Sequence, residues 1–322
     1  MKCKKILTAL LAAACTMSGC HGDLDIMQDN KLSASNMWID ESDAETATYG
    51  IYLYMRDALK SVHDIYLCWG EFRNGLWGAG TNKTLSGVDQ TQVRTSTMSS
   101  SNAYADWSVM YKTVNQANLI LKHVPEMGIS ESVRNFSLGN AYFSRAWCYF
   151  WIARIWGDAP LALTGYESTA GDLYLPRAPK AEIFARIESD LTEAERYVTD
   201  NSDKAVATPA AVQMLKADYA LWMYRVAGGG SSYLTMAEEA IETLNLSASR
   251  LESDYAQVFS SANKLNKEVI FAVHQANGEA VNGPGYYLGW NSNYVEAATR
   301  TTRCPSPAAT SGGGTPTATR RC

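Results

Sequence analysis

The chain reads as a mainly α protein, a helical-hairpin scaffold with irregular loops and little β structure. Three observations predict this class. Apolar residues recur at helical spacing in a series of segments from Ala47 to Leu244. Short breaks rich in Gly and Pro separate those segments. A single stretch, Glu268-Val269-Ile270-Phe271-Ala272-Val273, has the composition of a strand.

Ser42-Asp43-Ala44-Glu45 has the spacing of a capping box, in which each end satisfies an orphan backbone N–H of the other. It predicts a helix start ahead of the apolar-rich run from Ala47 to Leu59. Trp107, Met110, Tyr111, Val114 and Leu121 repeat at helical spacing, and Pro125 and Gly128 stop that helix. Arg134 to Trp156 is apolar nearly all round, through Phe143, Trp147, Phe150, Trp151 and Ile155. A helix with no polar face belongs at the centre of a fold. Gly157-Asp158-Ala159-Pro160 ends it.

Ile183, Ile187, Leu191, Ala194 and Val198 form one face of the next helix, with Glu182, Glu188, Asp190, Glu193 and Glu195 mostly opposite. Thr208-Pro209 sets a cap before a Pro at the first helical position. Leu215, Tyr219, Trp222 and Val226 mark another apolar face, closed by Gly228-Gly229-Gly230. Met236 to Leu244 predicts a shorter helix. Paired helices joined by short turns predict stacking of the tetratricopeptide kind. The chain has no clean fixed-period repeat, so such units have diverged.

The N-terminus carries a targeting pattern. Lys2, Lys4 and Lys5 form a basic region, and Ile6 to Ala14 an apolar one too short to span a bilayer. Small residues then lead through Ser18-Gly19 to Cys20, which looks like a lipobox, with Met17 where Leu is commoner. This predicts a signal peptide over residues 1–19 and acylation of Cys20, palmitate included. Several acyl chains on one residue anchor stably, where one does not. Residues 20–37 then read as a lipidated tether. Asp23 and Asp25 fit an outer-surface export signal and a solvated linker equally well.

Residues 38–298 read as the helical domain. Residues 299–322 change character to Thr, Pro, Ala, Gly and Arg, without an aromatic or acidic residue. That composition cannot form a core. It is either a natural disordered tail or out-of-frame translation, and the second reading is preferred.

The formal charge of −5 over 322 residues understates the acidity of the body. Loss of the three signal-peptide Lys takes it to −8, and setting aside the four Arg beyond Ala298 takes residues 20–298 to −12. This argues against nucleic acid or anionic lipid as the main partner and mildly favours a neutral ligand. Cys148 lies in the apolar helix and reads as a small buried hydrophobe. A Cys68–Cys148 bridge is compatible with an oxidising compartment. No Cys or His grouping has metal spacing, so neither a metal nor another cofactor is expected. His21, His63, His123 and His274 are scattered outside any nucleophile or metal motif, and no catalytic residue is expected.

Five ordered segments resemble one family. They are Trp107 through Asn118-Leu119-Ile120-Leu121; Gly139-Asn140-Ala141-Tyr142-Phe143-Ser144-Arg145-Ala146-Trp147-Cys148-Tyr149-Phe150; Trp156-Gly157-Asp158-Ala159-Pro160-Leu161; Pro176-Arg177-Ala178-Pro179 with Ile187 to Ala194; and Tyr255 to Phe259 with Asn266 to Phe271. Together they resemble the SusD/RagB-like family of outer-membrane nutrient-binding lipoproteins. Asn140 stands where that family usually has Glu. Family members run longer, so the resemblance implies that the C-terminal part is missing.

The resemblance implies a tetratricopeptide-like scaffold, lipid-anchored at the outer membrane and exposed at the cell surface. It implies a TonB-dependent (SusC-like) channel as partner and non-catalytic delivery of oligosaccharide or polysaccharide to it. A peptide-binding member of the same family, or a protein-assembly scaffold, are the alternatives. Arg145 and Asp158 read as hydrogen-bonded scaffold residues.

Ligand residues do not transfer from the motifs, so physical chemistry must choose them. Sugar rings have apolar faces and polar rims, which suit exposed aromatic platforms beside amides and charges. Two Gly-containing loops fit. Trp69 to Lys83 offers Arg73, Asn74, Trp77, Asn82 and Lys83. Gly283 to Tyr294 offers Tyr286, Tyr287, Trp290, Asn291 and Tyr294.

Overall fold

The computed structural model describes residues 37–60, 65–74, 88–169, 173–247 and 250–275. The chain divides into two units, Met1–Ile39 and Asp40–Cys322, and the elements below all belong to the second. They are α1 (Glu41–Lys60), α2 (Ile65–Trp69), α3 (Val88–Thr95), α4 (Ser108–His123), α5 (Glu131–Trp156), β1 (Ala159–Pro160), β2 (Arg177–Ala178), α6 (Lys180–Tyr197), α7 (Pro209–Arg225), α8 (Ser231–Thr243) and α9 (Tyr255–Val258). The two short strands pair antiparallel, Ala159 opposite Ala178. The fold is mainly α, as the periodicity predicts.

Helices pack in sequential pairs, α4 on α5, α5 on α6 and α7 on α8, while α1 lies against both α4 and α5. The long α5 is central. Phe143, Ala146, Cys148, Tyr149, Phe150 and Ile152 are all buried in the core with Ile183, Ile187, Val212 and Tyr219. Burial of each large apolar side chain contributes about 1.5–3 kcal/mol, so a helix apolar all round is stable only with neighbours on most sides. Among the described residues no helix is long and apolar enough to cross a membrane.

Capping follows local chemistry. Thr208 Oγ1 accepts from Ala211 N at 3.1 Å, as its place before Pro209 predicts. Helix α1 starts earlier than expected: Asp40 and Asp43 exchange side-chain-to-backbone bonds (3.1 and 3.3 Å), so this pair is the box and Ser42–Glu45 is not. Helix α4 stops at His123, and a 3₁₀ turn over Val124–Glu126 carries Pro125. Helix α5 ends at Gly157, whose φ of +73° is left-handed and strains any residue with a Cβ.

Other expectations are corrected. Residues 268–273 form no strand. Their apolar side chains serve packing instead: Phe271 meets Phe143 edge-on at 5.5 Å, and Ala272 N donates to Lys204 O at 2.9 Å. Val226 is 62% exposed, not part of the α7 face. Cys68 and Cys148 are both buried and are not bridged to each other. Burial pushes the Cys148 thiol far above its ordinary pKa, which suits a small hydrophobe.

Asn140 is satisfied without the usual Glu. Its Oδ1 accepts from the Tyr52 hydroxyl and from Ala207 N, and its Nδ2 donates to Phe136 O. Arg145 is a scaffold residue as expected: it forks onto the fully buried Asp190 through Nε and Nη2 at 2.8 and 2.7 Å. Asp158 Oδ1 accepts from Lys180 N at 2.8 Å and so caps α6.

Candidate functional site

The loop between α5 and α6 returns across α4 and builds a cleft of about 450 Å³ against it. Tyr111 and Asn115 on α4, Trp107 at its start, and Tyr166 and Tyr174 from the loop line it. Among the described residues none that lines it is charged.

Several long-range bonds hold the loop there. Asn115 clamps Tyr166 at both backbone atoms, accepting from its N at 2.8 Å and donating to its O at 3.0 Å. Asn118 Nδ2 and the Tyr149 hydroxyl both donate to Ala162 O, at 3.0 and 2.8 Å. The Tyr111 hydroxyl donates to Pro160 O at 2.6 Å, and burial pushes its phenol well above the ordinary range. Gly165 permits the approach: a Cβ there would lie 2.9 Å from Leu119 Cα and N. At the loop's outer edge Glu167 meets both Lys122 and His123.

The amides of the cleft are therefore spent on the loop backbone. What remains for a ligand is aromatic surface. Trp107 stands edge-on to Tyr111 and Trp156 at 6.1 and 6.2 Å, with the Arg177 guanidinium 4.7 Å over its ring. Tyr174 is 92% exposed, so its ring is presented to solvent. Apolar ring faces over an uncharged, backbone-lined groove suit a neutral ligand with C–H faces and hydroxyl edges. Among the described residues no group of His, Cys, Asp or Glu is placed to hold a metal ion.

Of the residues expected at the site, Arg73 and Asn74 are exposed at the end of the 3₁₀ turn Glu71–Arg73, where Asn74 Nδ2 donates to Glu71 Oε2 at 2.9 Å. They do not join the cleft. Trp69, at the edge of that loop, is core: its Nε1 donates to Tyr104 O and its ring packs on Trp151 and Trp156. Trp77, Asn82, Lys83, Tyr286, Tyr287, Trp290, Asn291 and Tyr294 lie outside the described residues, as does Cys20.

Sequence reasoning missed Trp107, Tyr111, Tyr166 and Tyr174 as site residues. The signal was available for two of them, since Gly165-Tyr166 and Gly171-Asp172-Leu173-Tyr174 are also aromatics in a Gly-containing loop. Trp107 and Tyr111 carried a helical repeat and so read only as core.

Residues 79–223 match a family model described as SusD-like, starch-binding associating with outer membrane. SusD-like protein P38 of Formosa agariphila is 23% identical over 293 residues, covering 90% of this chain and 54% of that protein. NanU of B. fragilis superposes with a TM-score of 0.66 at 27% identity, over 80% of this chain and 53% of its own. Surface glycan-binding protein A of Bacteroides thetaiotaomicron, solved in complex with laminarihexaose, gives a TM-score of 0.61 over 77% of this chain and 52% of its own. At 18% identity that likeness is one of fold. The chain thus spans about half the length of these three proteins. Sequence motifs, helical architecture and structural superposition agree that this chain is similar to SusD-like proteins, with the family model matching residues 79–223.

Proposed function

We propose that this chain is the scaffold of a lipid-anchored outer-membrane protein that binds neutral glycan and passes it to a TonB-dependent channel. In this reading residues 1–19 are removed, Cys20 carries the lipid, residues 20–37 are the tether and residues 38–298 bind. The cleft of Trp107, Tyr111, Tyr166 and Tyr174 is the observation that supports it: aromatic side chains gathered in a lining that holds no charged residue among those described, with Arg177 over the Trp107 ring. The complex of a fold relative with laminarihexaose supports the ligand class. Trp77 and the Tyr286–Trp290 loop are retained as further platforms. The protein positions sugar and breaks no bond.

Calorimetric titration of the full chain with laminarihexaose tests the reading. Tyr174→Ala should weaken binding several-fold, because one aromatic contact contributes about 0.5–1.5 kcal/mol. Helicity by circular dichroism should be unchanged, since the ring is exposed. Undiminished affinity in Tyr174→Ala, Tyr166→Ala and Trp107→Ala alike would remove the cleft from the function. Fatty-acid labelling of cells should mark the wild type and spare Cys20→Ala.

A further inference from the structure

In one cavity of this acidic chain the charged lining residues are all cations. The cavity measures about 360 Å³ and lies between the 201–210 segment and the 250–270 segment. Lys204, Arg250 and Lys267 line it, with no carboxylate among the lining residues. Val269 and Ile270 form an apolar wall, and Thr208 contributes at the start of α7.

The nearby carboxylates accept from backbone N–H, amide and hydroxyl groups and not from the Lys204 ammonium or the Arg250 guanidinium. Asp200 accepts from Ser202 N and Oγ, at 2.9 and 2.7 Å. Asp203 accepts from Ala205 N at 2.8 Å, and Glu268 from Glu252 N at 2.6 Å. Glu252 faces the backbone N of Lys267 and the amide of Asn263. Among the described residues neither Lys204 nor Arg250 takes part in an ion pair. Lys204 spends one donor on Asn266 O at 2.6 Å, which fixes its ammonium at the cavity and leaves two N–H groups.

Like charges around one cavity repel, and a bound anion reverses the sign of that interaction. The volume falls within the range of small-ligand sites, roughly 300–1,000 Å³. The geometry points to a second site, distinct from the aromatic cleft, that takes an acidic sugar. Its carboxylate or sulfate sits between Lys204 and Arg250, and the C–H face of its ring rests on Val269 and Ile270. The sugar class rests on the glycan-binding reading above; the charge preference rests on this cavity alone.

Calorimetry on the full chain with digalacturonate, a monosulfated galactobiose and neutral galactobiose tests it. At least one acidic sugar should bind, more weakly as salt rises. Arg250→Gln and Lys204→Gln should each weaken it on the order of tenfold, the size of a charge-assisted hydrogen bond. Arg250→Lys should retain most of the affinity. Binding of only the sulfated or only the carboxylated sugar would identify the anion. Circular dichroism checks that each variant folds, and Arg250 is exposed.

Equal affinity of neutral and acidic sugars for this site, or acidic binding unchanged in both Gln variants, would overturn the proposal. Neutral binding that is lost in Tyr174→Ala, with no acidic binding, would overturn this site and leave the cleft standing. Acidic binding lost in Arg250→Gln, with no neutral binding anywhere, would sustain this site and remove the cleft.

Discussion

Arg145 and Asn118 connect the buried core to the cleft. Arg145 Nη1 donates to Asn118 Oδ1 at 2.8 Å, and Asn118 Nδ2 passes the connection on to Ala162 O at 3.0 Å and Thr164 O at 3.3 Å. The same guanidinium holds Asp190 of α6 by two bonds. One side chain on α5 therefore ties α4, α6 and the cleft loop together.

Removing Arg145 should be severe. Asp190 is fully buried, and only Arg186 at 3.3 Å would remain to pair it. Arg145→Ala should cost about 3–5 kcal/mol, because it leaves a buried charge poorly compensated. Urea unfolding followed by circular dichroism measures this. The double variant Arg145→Met with Asp190→Leu should recover much of the loss, since buried ion pairs are often replaceable by apolar packing of similar volume.

Asn115→Ala should act locally. It deletes both bonds to the Tyr166 backbone and frees the loop. The cost is about 1–3 kcal/mol for unpaired polar groups. Amide hydrogen exchange should rise at Tyr166 and its neighbours while α5 and α6 stay protected. A fall in neutral-sugar affinity should accompany it.

Gly165→Ala should have a different signature. The added Cβ would meet the Leu119 backbone at 2.9 Å and its Cδ2 at 2.8 Å, so the loop must lift from α4. Overpacking of this kind costs about 1–3 kcal/mol. The thermal midpoint should fall, and Gly165→Ala with Leu119→Ala should not recover it, because two of the three close atoms are backbone.

The loop edge should respond to acid. The Glu167 carboxyl is lowered from its ordinary value of 4.5, chiefly by the Lys122 hydrogen bond and further by His123. A depressed carboxyl contributes stability above its unfolded pKa and loses it as pH falls through the folded value. The contribution is therefore present at neutral pH and disappears below 4.5. Thermal unfolding of wild type and Glu167→Gln should differ at neutral pH and converge under acid. The gap should stay modest and shrink with salt, because the pair is at the surface.

The helices were legible in the sequence because their signals are local. Ile183, Ile187, Leu191 and Ala194 fall on one face by periodicity alone, and all four are buried. The all-round apolar run through Phe143 and Phe150 could be stable only at the centre, where α5 lies. Thr208 before Pro209 specified a cap, since a hydroxyl there meets an orphan N–H whatever the rest of the chain does. Local pattern was ambiguous where two solutions fit: Asp40–Asp43 took the box that Ser42–Glu45 also offered.

The cleft and the cationic cavity were decided by tertiary structure. Trp107 and Tyr111 have the same helical spacing as core residues, and only the returning loop makes them the wall of a cleft. That return depends on bonds between Asn115 and Tyr166, and between Asn118 and Ala162, which no periodicity encodes. Ile270 and Phe271 announced burial, but whether they would pair as a strand or pack as a plug depended on what stood opposite. Phe143 and Tyr52 stood there, and among the described residues no partner strand did. Lys204 and Arg250 are unremarkable one at a time, and their shared field arises only from the fold. Helix formation is set by neighbours three and four residues away, whereas a binding surface is set by residues that chain closure brings together.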